Sequence, residues 1–156
     1  MVTTNPMRML TAAGIGFEAR EYQYDESDLS GVHAAAELGL DPDCTFKTLV
    51  LRGDKNGLFV CCIPVGEEVD LKKAAVISGN KKAEMIHVKE LLPLTGYIRG
   101  GCSPVGMKKE FPTYIDETAM LFDAIAVSGG MRGVQLIVNP DQLLGFVKGE
   151  YVDLTA

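Results

Sequence analysis

The chain has 156 residues and a formal net charge of −6, with 47 % hydrophobic and 23 % charged residues. That mixture suits one globular domain over residues 1–156, with enough chain for a sizeable core and too little for two comfortable ones. The acidic balance argues against a strong sequence-independent grip on nucleic acid. No apolar run reaches membrane-spanning length and the first residues lack the form of a secretion signal, so a cytoplasmic protein is expected.

Cys44, Cys61, Cys62 and Cys102 make no Cys-x-x-Cys pair and have no histidine at zinc spacing. Free thiols, no metal site and no cofactor are therefore expected. Charge is unevenly spread. Residues 1–45 hold Arg8 and Arg20 against eight carboxylates, whereas residues 70–109 hold Lys72, Lys73, Lys81, Lys82, Lys89, Arg99, Lys108 and Lys109 against Asp70, Glu84 and Glu90. The second stretch is either a solvated lysine face or the place where a polyanion binds weakly.

Asn5-Pro6 predicts the start of a helix with Asn5 as N-cap, closed by Gly14. Residues 17–24 alternate as a strand, placing Tyr22 and Tyr24 on one face. A polar loop over 25–31 precedes a short helix that starts at His33 and closes at Gly39; His33 reads as a surface or packing residue. Residues 45–52 and 58–65 form a hairpin around Gly53–Gly57, with Cys61 and Cys62 as small core residues. A helix over 70–77, a strand within 81–86 and a helix over 88–92 ending at Pro93 follow. Strands are expected at 112–116, 124–128 and 134–138, with a helical turn at 118–122 between the first two. A helix over 141–144 and an edge at Phe146-Val147 complete the chain. Strands interleaved with short helices predict an α+β domain: a mixed, curled, barrel-like β-sheet flanked by short helices.

Two features carry chemistry. Gly96-Tyr-Ile-Arg-Gly-Gly-Cys-Ser-Pro-Val-Gly106 begins strand-like at Tyr97-Ile98, then combines a glycine pair with a Ser-Pro step. Such a loop can present main-chain N–H groups to an oxygen atom, or can simply be a tight turn. Its spacing matches neither the P-loop nor the dinucleotide fingerprint. Lys47 sits within an apolar strand, where alternation gives it the face of Thr45 and Leu49. If that face is inward the ammonium is partly desolvated, a costly state unless it is paired or used. If outward, it is an ordinary strand lysine.

Phe46-Lys-Thr-Leu-Val50, the glycine loop 96–106 and Val127-Ser-Gly-Gly-Met-Arg-Gly133, in this order and spacing, resemble the bacterial YbaK/EbsC aminoacyl-tRNA deacylases. These are free-standing relatives of the editing domain in bacterial prolyl-tRNA synthetase. Leu40-Asp-Pro-Asp43, Leu71-Lys-Lys73, and Pro112-Thr followed by Asp116 fit the same pattern, so the similarity spans effectively the whole chain. The resemblance implies a six- to seven-stranded mixed, barrel-like sheet and hydrolysis of the ester joining a wrong amino acid to a tRNA 3′ end. The Gly-Gly-x-Ser-Pro-x-Gly form is similar to the branch that removes cysteine from tRNA(Pro). Carried over by motif, Lys47, Gly100 and Gly101 would be catalytic. Tyr22, Ser103, Pro104, Ser128, Gly129 and Gln135 would contact the substrate. Gln135 departs from the aspartate of cysteine-specific members, Cys102 from an aliphatic residue and Met131 from a basic one, and the first puts substrate choice in question.

An aminoacyl ester is already activated, so placement and charge stabilisation suffice to cleave it. With only His33 and His87 in the chain, no Ser/His/Asp or Cys/His set stands out. That favours cleavage assisted by the substrate's own thiol, as the resemblance implies. Two rival readings stand beside it: Cys102 as an acidified nucleophile, and a non-catalytic module binding tRNA ends or a protein through the 70–109 lysines. The resemblance also implies a transient complex with prolyl-tRNA synthetase.

Overall fold

Alternating stretches become strands and capped apolar stretches become short helices in the computed structural model, which describes residues 2–156. The helices are α1 (Asn5–Ala12), α2 (Gly31–Leu38), α3 (Leu71–Ile77), α4 (Val88–Thr95) and α5 (Pro140–Val147). The strands are β1 (Phe17–Glu21), β2 (Phe46–Gly53), β3 (Gly57–Pro64), β4 (Ala83–Met85), β5 (Thr113–Asp116), β6 (Ile125–Ser128), β7 (Val134–Val138) and β8 (Glu150–Val152). Each is short, so tertiary packing, not helix propensity, holds them.

Three helices start where a small polar side chain accepts an otherwise orphaned N–H: Ser30 from His33, Asp70 from Lys72 and Lys73, Asn139 from Gln142. At α1 the cap is Thr4, one residue before the expected Asn5, because Thr4 accepts the Met7 N–H. The α4 helix runs past Pro93 to Thr95. In so short a helix the ring removes only one N–H, and the carbonyl it leaves belongs to exposed Lys89. Phe146 and Val147 belong to α5, and the edge expected there is instead β8. The strand expected to reach Tyr24 ends at Glu21, and Tyr97-Ile98 has no strand pairing.

The mixed α+β class is as the sequence predicts, but the sheet is divided and does not close. One three-stranded sheet has the order β1-β7-β6, all antiparallel, and a five-stranded sheet has the order β4-β2-β3-β5-β8. In the larger, β2 pairs antiparallel with β3 and β4, whereas β3/β5 and β5/β8 are parallel. A single bridge, Thr45 to Ala126, joins the two sheets.

Alternation along β3 sorts its side chains between two cores. Val60 and Cys62 join Phe46, Val50, Leu136 and Leu143 in the main core, while Phe59, Cys61 and Ile63 join Leu51, Ala74 and Leu154 on the other face. Both vicinal cysteines are fully buried, as read from the sequence.

Asp116 ties the C-terminus to this scaffold. It is 1 % exposed, and its carboxylate accepts the Leu154 N–H (2.9 Å), the Thr118 N–H (3.2 Å) and the Thr118 hydroxyl (2.6 Å). Removing it leaves the buried Leu154 N–H and the part-buried Thr118 donors without this acceptor, so Asp116→Ala should cost about 2–3 kcal/mol. Thermal unfolding followed by circular dichroism should show a Tm lower by roughly 5–10 °C. An unchanged Tm would show that these three bonds add no net stability.

Candidate active site

A cleft of about 380 Å³ lies beside the Thr45–Ala126 bridge, lined by residues of both sheets. That volume lies within the range of small-molecule sites. Thr45 and residues Phe46 to Val50 of β2 line it together with Leu29, Ser30, Gly31 and Ala34 around the start of α2. Met85 to Val88 and Leu91 form a second wall, the glycine loop contributes Arg99, Gly100 and Cys102, Ser128 and Gln135 come from the smaller sheet, and Tyr22 follows the end of β1. Six residues singled out from the sequence (Tyr22, Lys47, Gly100, Cys102, Ser128 and Gln135) thus share one cavity although they are scattered over more than a hundred positions.

Lys47 answers the question alternation left open. Partly buried on the cleft, it makes no ion pair among the described residues. Burial pushes its pKa below the usual lysine range, and the charges of Glu68 and Glu67 pull the other way. The result is a partly buried cation on the cleft, on which Glu68 and Glu67 act without a direct ion pair.

Gln135 lies opposite Ser128 on β6 and Arg20 on β1. It is 6 % exposed, and its Oε1 is buried with no hydrogen-bond partner. Ser128 accepts the Gly130 N–H (3.2 Å), which shapes the turn that follows it. Tyr22 is fixed by its own N–H, donated to the Gly133 carbonyl (2.9 Å).

The two glycine-rich turns are packed against each other. A Cβ on Gly101 would stand 3.0 Å from the Met131 Cα and 3.1 Å from the Arg132 nitrogen, so only glycine allows this approach. Arg132 Nε donates to the Arg99 carbonyl (2.9 Å), and Tyr97 closes the loop by donating its hydroxyl to the Val105 carbonyl (2.6 Å).

This packing divides the expected glycine pair. The Gly101 N–H is spent on the Ile98 carbonyl (2.9 Å), so it is not free to hold a ligand oxygen. Gly100, at φ +87°, and Cys102 line the cleft, and neither N–H has a protein acceptor among the described residues.

Three other expected contacts are absent from the cleft. Ser103 is fully buried and its hydroxyl accepts the Val105 N–H (3.1 Å). Pro104 borders a separate hollow with Met9, Phe111 and Phe146. Gly129 donates to the Val134 carbonyl and is packed so closely that a Cβ would stand 2.5 Å from Val134 Cγ1. All three shape the turns without reaching the cavity.

Sequence reasoning missed Leu29 to Gly31, the Met85–Val88 wall and His87. Ser30 carries a local sign, its capping role; the Met85–Val88 wall is placed by β2 pairing with β4, a non-local contact.

Cys102 and His87 both border the cleft, but no hydrogen bond joins them. Burial pushes the Cys102 thiol up to about 12, the opposite of an activated nucleophile. The arrangement therefore offers an unpaired cation, unpartnered N–H groups and the Tyr22, Thr48 and Ser128 hydroxyls, without a hydrogen-bonded nucleophile–base pair.

Comparison with known proteins gives concordant findings. The family model described as the aminoacyl-tRNA editing domain matches residues 29–146. A protein of Enterococcus faecalis, named as a candidate Cys-tRNA(Pro)/Cys-tRNA(Cys) deacylase, EbsC, is 47 % identical over 152 residues, covering 97 % of this chain and 93 % of its own. The uncharacterized protein YwhH of Bacillus subtilis is 25 % identical over 124 residues, 80 % of this chain and 78 % of its own. Among solved structures, a candidate trans-editing enzyme for prolyl-tRNA synthetase superimposes with a TM-score of 0.84 at 25 % identity, covering 99 % of both chains.

Proposed function

Because this chain belongs to the aminoacyl-tRNA editing domain family, we propose that it is a trans-editing hydrolase that removes cysteine from mischarged tRNA(Pro). The observation that carries the reading is Lys47: a partly buried cation without an ion pair among the described residues, in a cleft that offers no paired nucleophile and base. In this reading Lys47 holds negative charge on the terminal ribose–phosphate or on the developing oxyanion, and the Gly100 and Cys102 N–H groups face the ester carbonyl.

The nucleophile is the substrate's own sulfur. As it loses its proton it attacks the ester carbonyl carbon, the bond from that carbon to the ribose oxygen breaks, and the proton ends on the departing ribose hydroxyl. Water then opens the cyclic thiolactone, breaking the C–S bond and releasing cysteine. The site needs only to hold sulfur and carbonyl in line, which is where proximity contributes most.

The Cys102 thiol has no part in this chemistry. Cys102→Ala should deacylate Cys-tRNA(Pro) at the wild-type rate within about twofold, as scored by single-turnover release of labelled cysteine. A collapse of turnover in this variant, with the fold intact, would restore the protein-nucleophile reading.

A transient complex with prolyl-tRNA synthetase belongs to the same proposal. It is supported by the net charge of −6, which gives a single acidic domain little grip on tRNA alone. Amino acid choice is tested by comparing Cys-tRNA(Pro) with Ala-tRNA(Pro) as substrates of the wild-type protein. Faster release of cysteine is expected. Preferential release of alanine would reassign the specificity, with Gln135 as the first residue to exchange for aspartate.

A further inference from the structure

The walls of the cleft carry opposite charge. On one side the loop before α2 places exposed Asp25, Glu26 and Asp28 beside lining residues Leu29 to Gly31, and exposed Glu67 and Glu68 act on Lys47. On the other, lining residues Met85 to Val88 continue directly into exposed Lys89, and β4 is preceded by exposed Lys81 and Lys82.

The carboxylates near these lysines are mostly engaged. Glu90 is held by Arg52 (3.0 Å), and the Asp54 carboxylate accepts the main-chain N–H groups of Lys81 (3.0 Å) and Lys82 (3.1 Å). Only Glu84 of this stretch stands free. Lys81, Lys82 and Lys89 make no ion pair among the described residues, unlike Lys73, which is bound to Asp153 (2.9 Å). Apolar side chains stand between the cations: Met85 and Val88 line the cleft yet are 43 % and 64 % exposed.

From this geometry we infer that the β4–α4 wall is the track for the RNA strand leading into the cleft. Its phosphates lie along Lys81, Lys82 and Lys89, and a terminal base rests on Met85 and Val88. The inference builds on the deacylase reading, since that reading puts an RNA 3′ end in the cavity. A polyanion meets repulsion at the 25–28 wall and cations without partners at the other, so approach is one-sided. The grip is local and modest, in keeping with the acidic whole: three lysines neutralise about three phosphates.

The test is the charge-reversal variant Lys81→Glu/Lys82→Glu/Lys89→Glu beside Lys109→Glu, a reversal of the same kind at a residue bordering the separate hollow. Two readouts are taken: binding of uncharged, fluorescently labelled tRNA at low and moderate salt, and kcat/KM on full-length Cys-tRNA(Pro) against 3′-O-cysteinyl-adenosine, which carries no phosphate.

The triple variant should lose about tenfold or more in tRNA affinity, with the log–log salt slope falling by about three. Its kcat/KM should drop on the full tRNA and stay within about twofold on cysteinyl-adenosine, and Lys109→Glu should match wild type in all assays. Equal losses on both substrates, unchanged tRNA binding, or the same loss in Lys109→Glu would each overturn the track. So would a wild type that binds no tRNA at low salt, and so would a triple variant that keeps tRNA but loses a synthetase partner, which would assign the wall to protein contact. A wild type that binds tRNA through these lysines but cleaves neither substrate would uphold the track and remove the deacylase reading.

Discussion

Lys47→Ala is expected to slow single-turnover hydrolysis of Cys-tRNA(Pro) by about 10²–10³-fold, the range seen when one preorganised charge stabiliser is removed from a catalytic site. The expectation follows from an ammonium that is partly buried on the cleft and unpaired, held there by a strand that could carry an apolar residue as easily. Its stability signature separates this loss from misfolding. The folded pKa of Lys47 is depressed, chiefly by burial, so the charged form weighs against the fold at pH values below that pKa. The penalty fades as pH rises through the folded pKa towards the unfolded one. Lys47→Met should therefore have a thermal midpoint at neutral pH equal to wild type or higher by about 2 °C, while being as inactive as the alanine variant. Activity within about threefold of wild type would remove Lys47 from the chemistry. A large drop in Tm would show that it serves the scaffold instead.

Ser-tRNA(Pro) should be hydrolysed at least about 10²-fold more slowly than Cys-tRNA(Pro) by the wild-type protein. The two substrates differ by one atom, sulfur for oxygen, a change small beside a cavity of about 380 Å³. A binding difference would leave only a small gap. A chemical requirement for the thiol leaves a large one, because a thiol is partly ionised near neutral pH and strongly nucleophilic whereas a serine hydroxyl is neither. Single-turnover time courses at saturating protein isolate this chemical step. Comparable rates would make a substrate nucleophile untenable and direct attention to a water positioned by Ser128, Tyr22 or Thr48.

How legible the molecule is from its sequence depends on the range of the interactions involved. The β2–β3 hairpin, the caps at Asp70 and Asn139 and the buried Cys61–Cys62 pair were readable because each rests on residues a few positions apart. The division into two sheets was not, because it depends on β1 returning to pair with β7, more than a hundred residues later. In the same way β8, expected at Phe146-Val147, forms at Glu150–Val152 through parallel pairing with β5, while α5 keeps the earlier residues.

The cleft was half legible. Motif resemblance pointed to Lys47, Tyr22, Gly100, Ser128 and Gln135, which the fold does bring together. The same motifs pointed to Gly101, Ser103, Pro104 and Gly129, whose places in the fold are those of loop builders: a spent N–H, a buried hydroxyl, a wall of another hollow and a tight hairpin turn. A motif does not distinguish residues that touch a ligand from those that hold the loop in shape. The Met85–Val88 wall lay outside every motif, and nothing local marks it.

The most direct measurement is the lifetime of the ester bond in Cys-tRNA(Pro) when purified wild-type protein is added with no synthetase present. Rapid loss of the ester, many times faster than its spontaneous hydrolysis and proportional to added protein, is the result this account predicts. A decay indistinguishable from the protein-free control, with the protein shown to be folded, would contradict it.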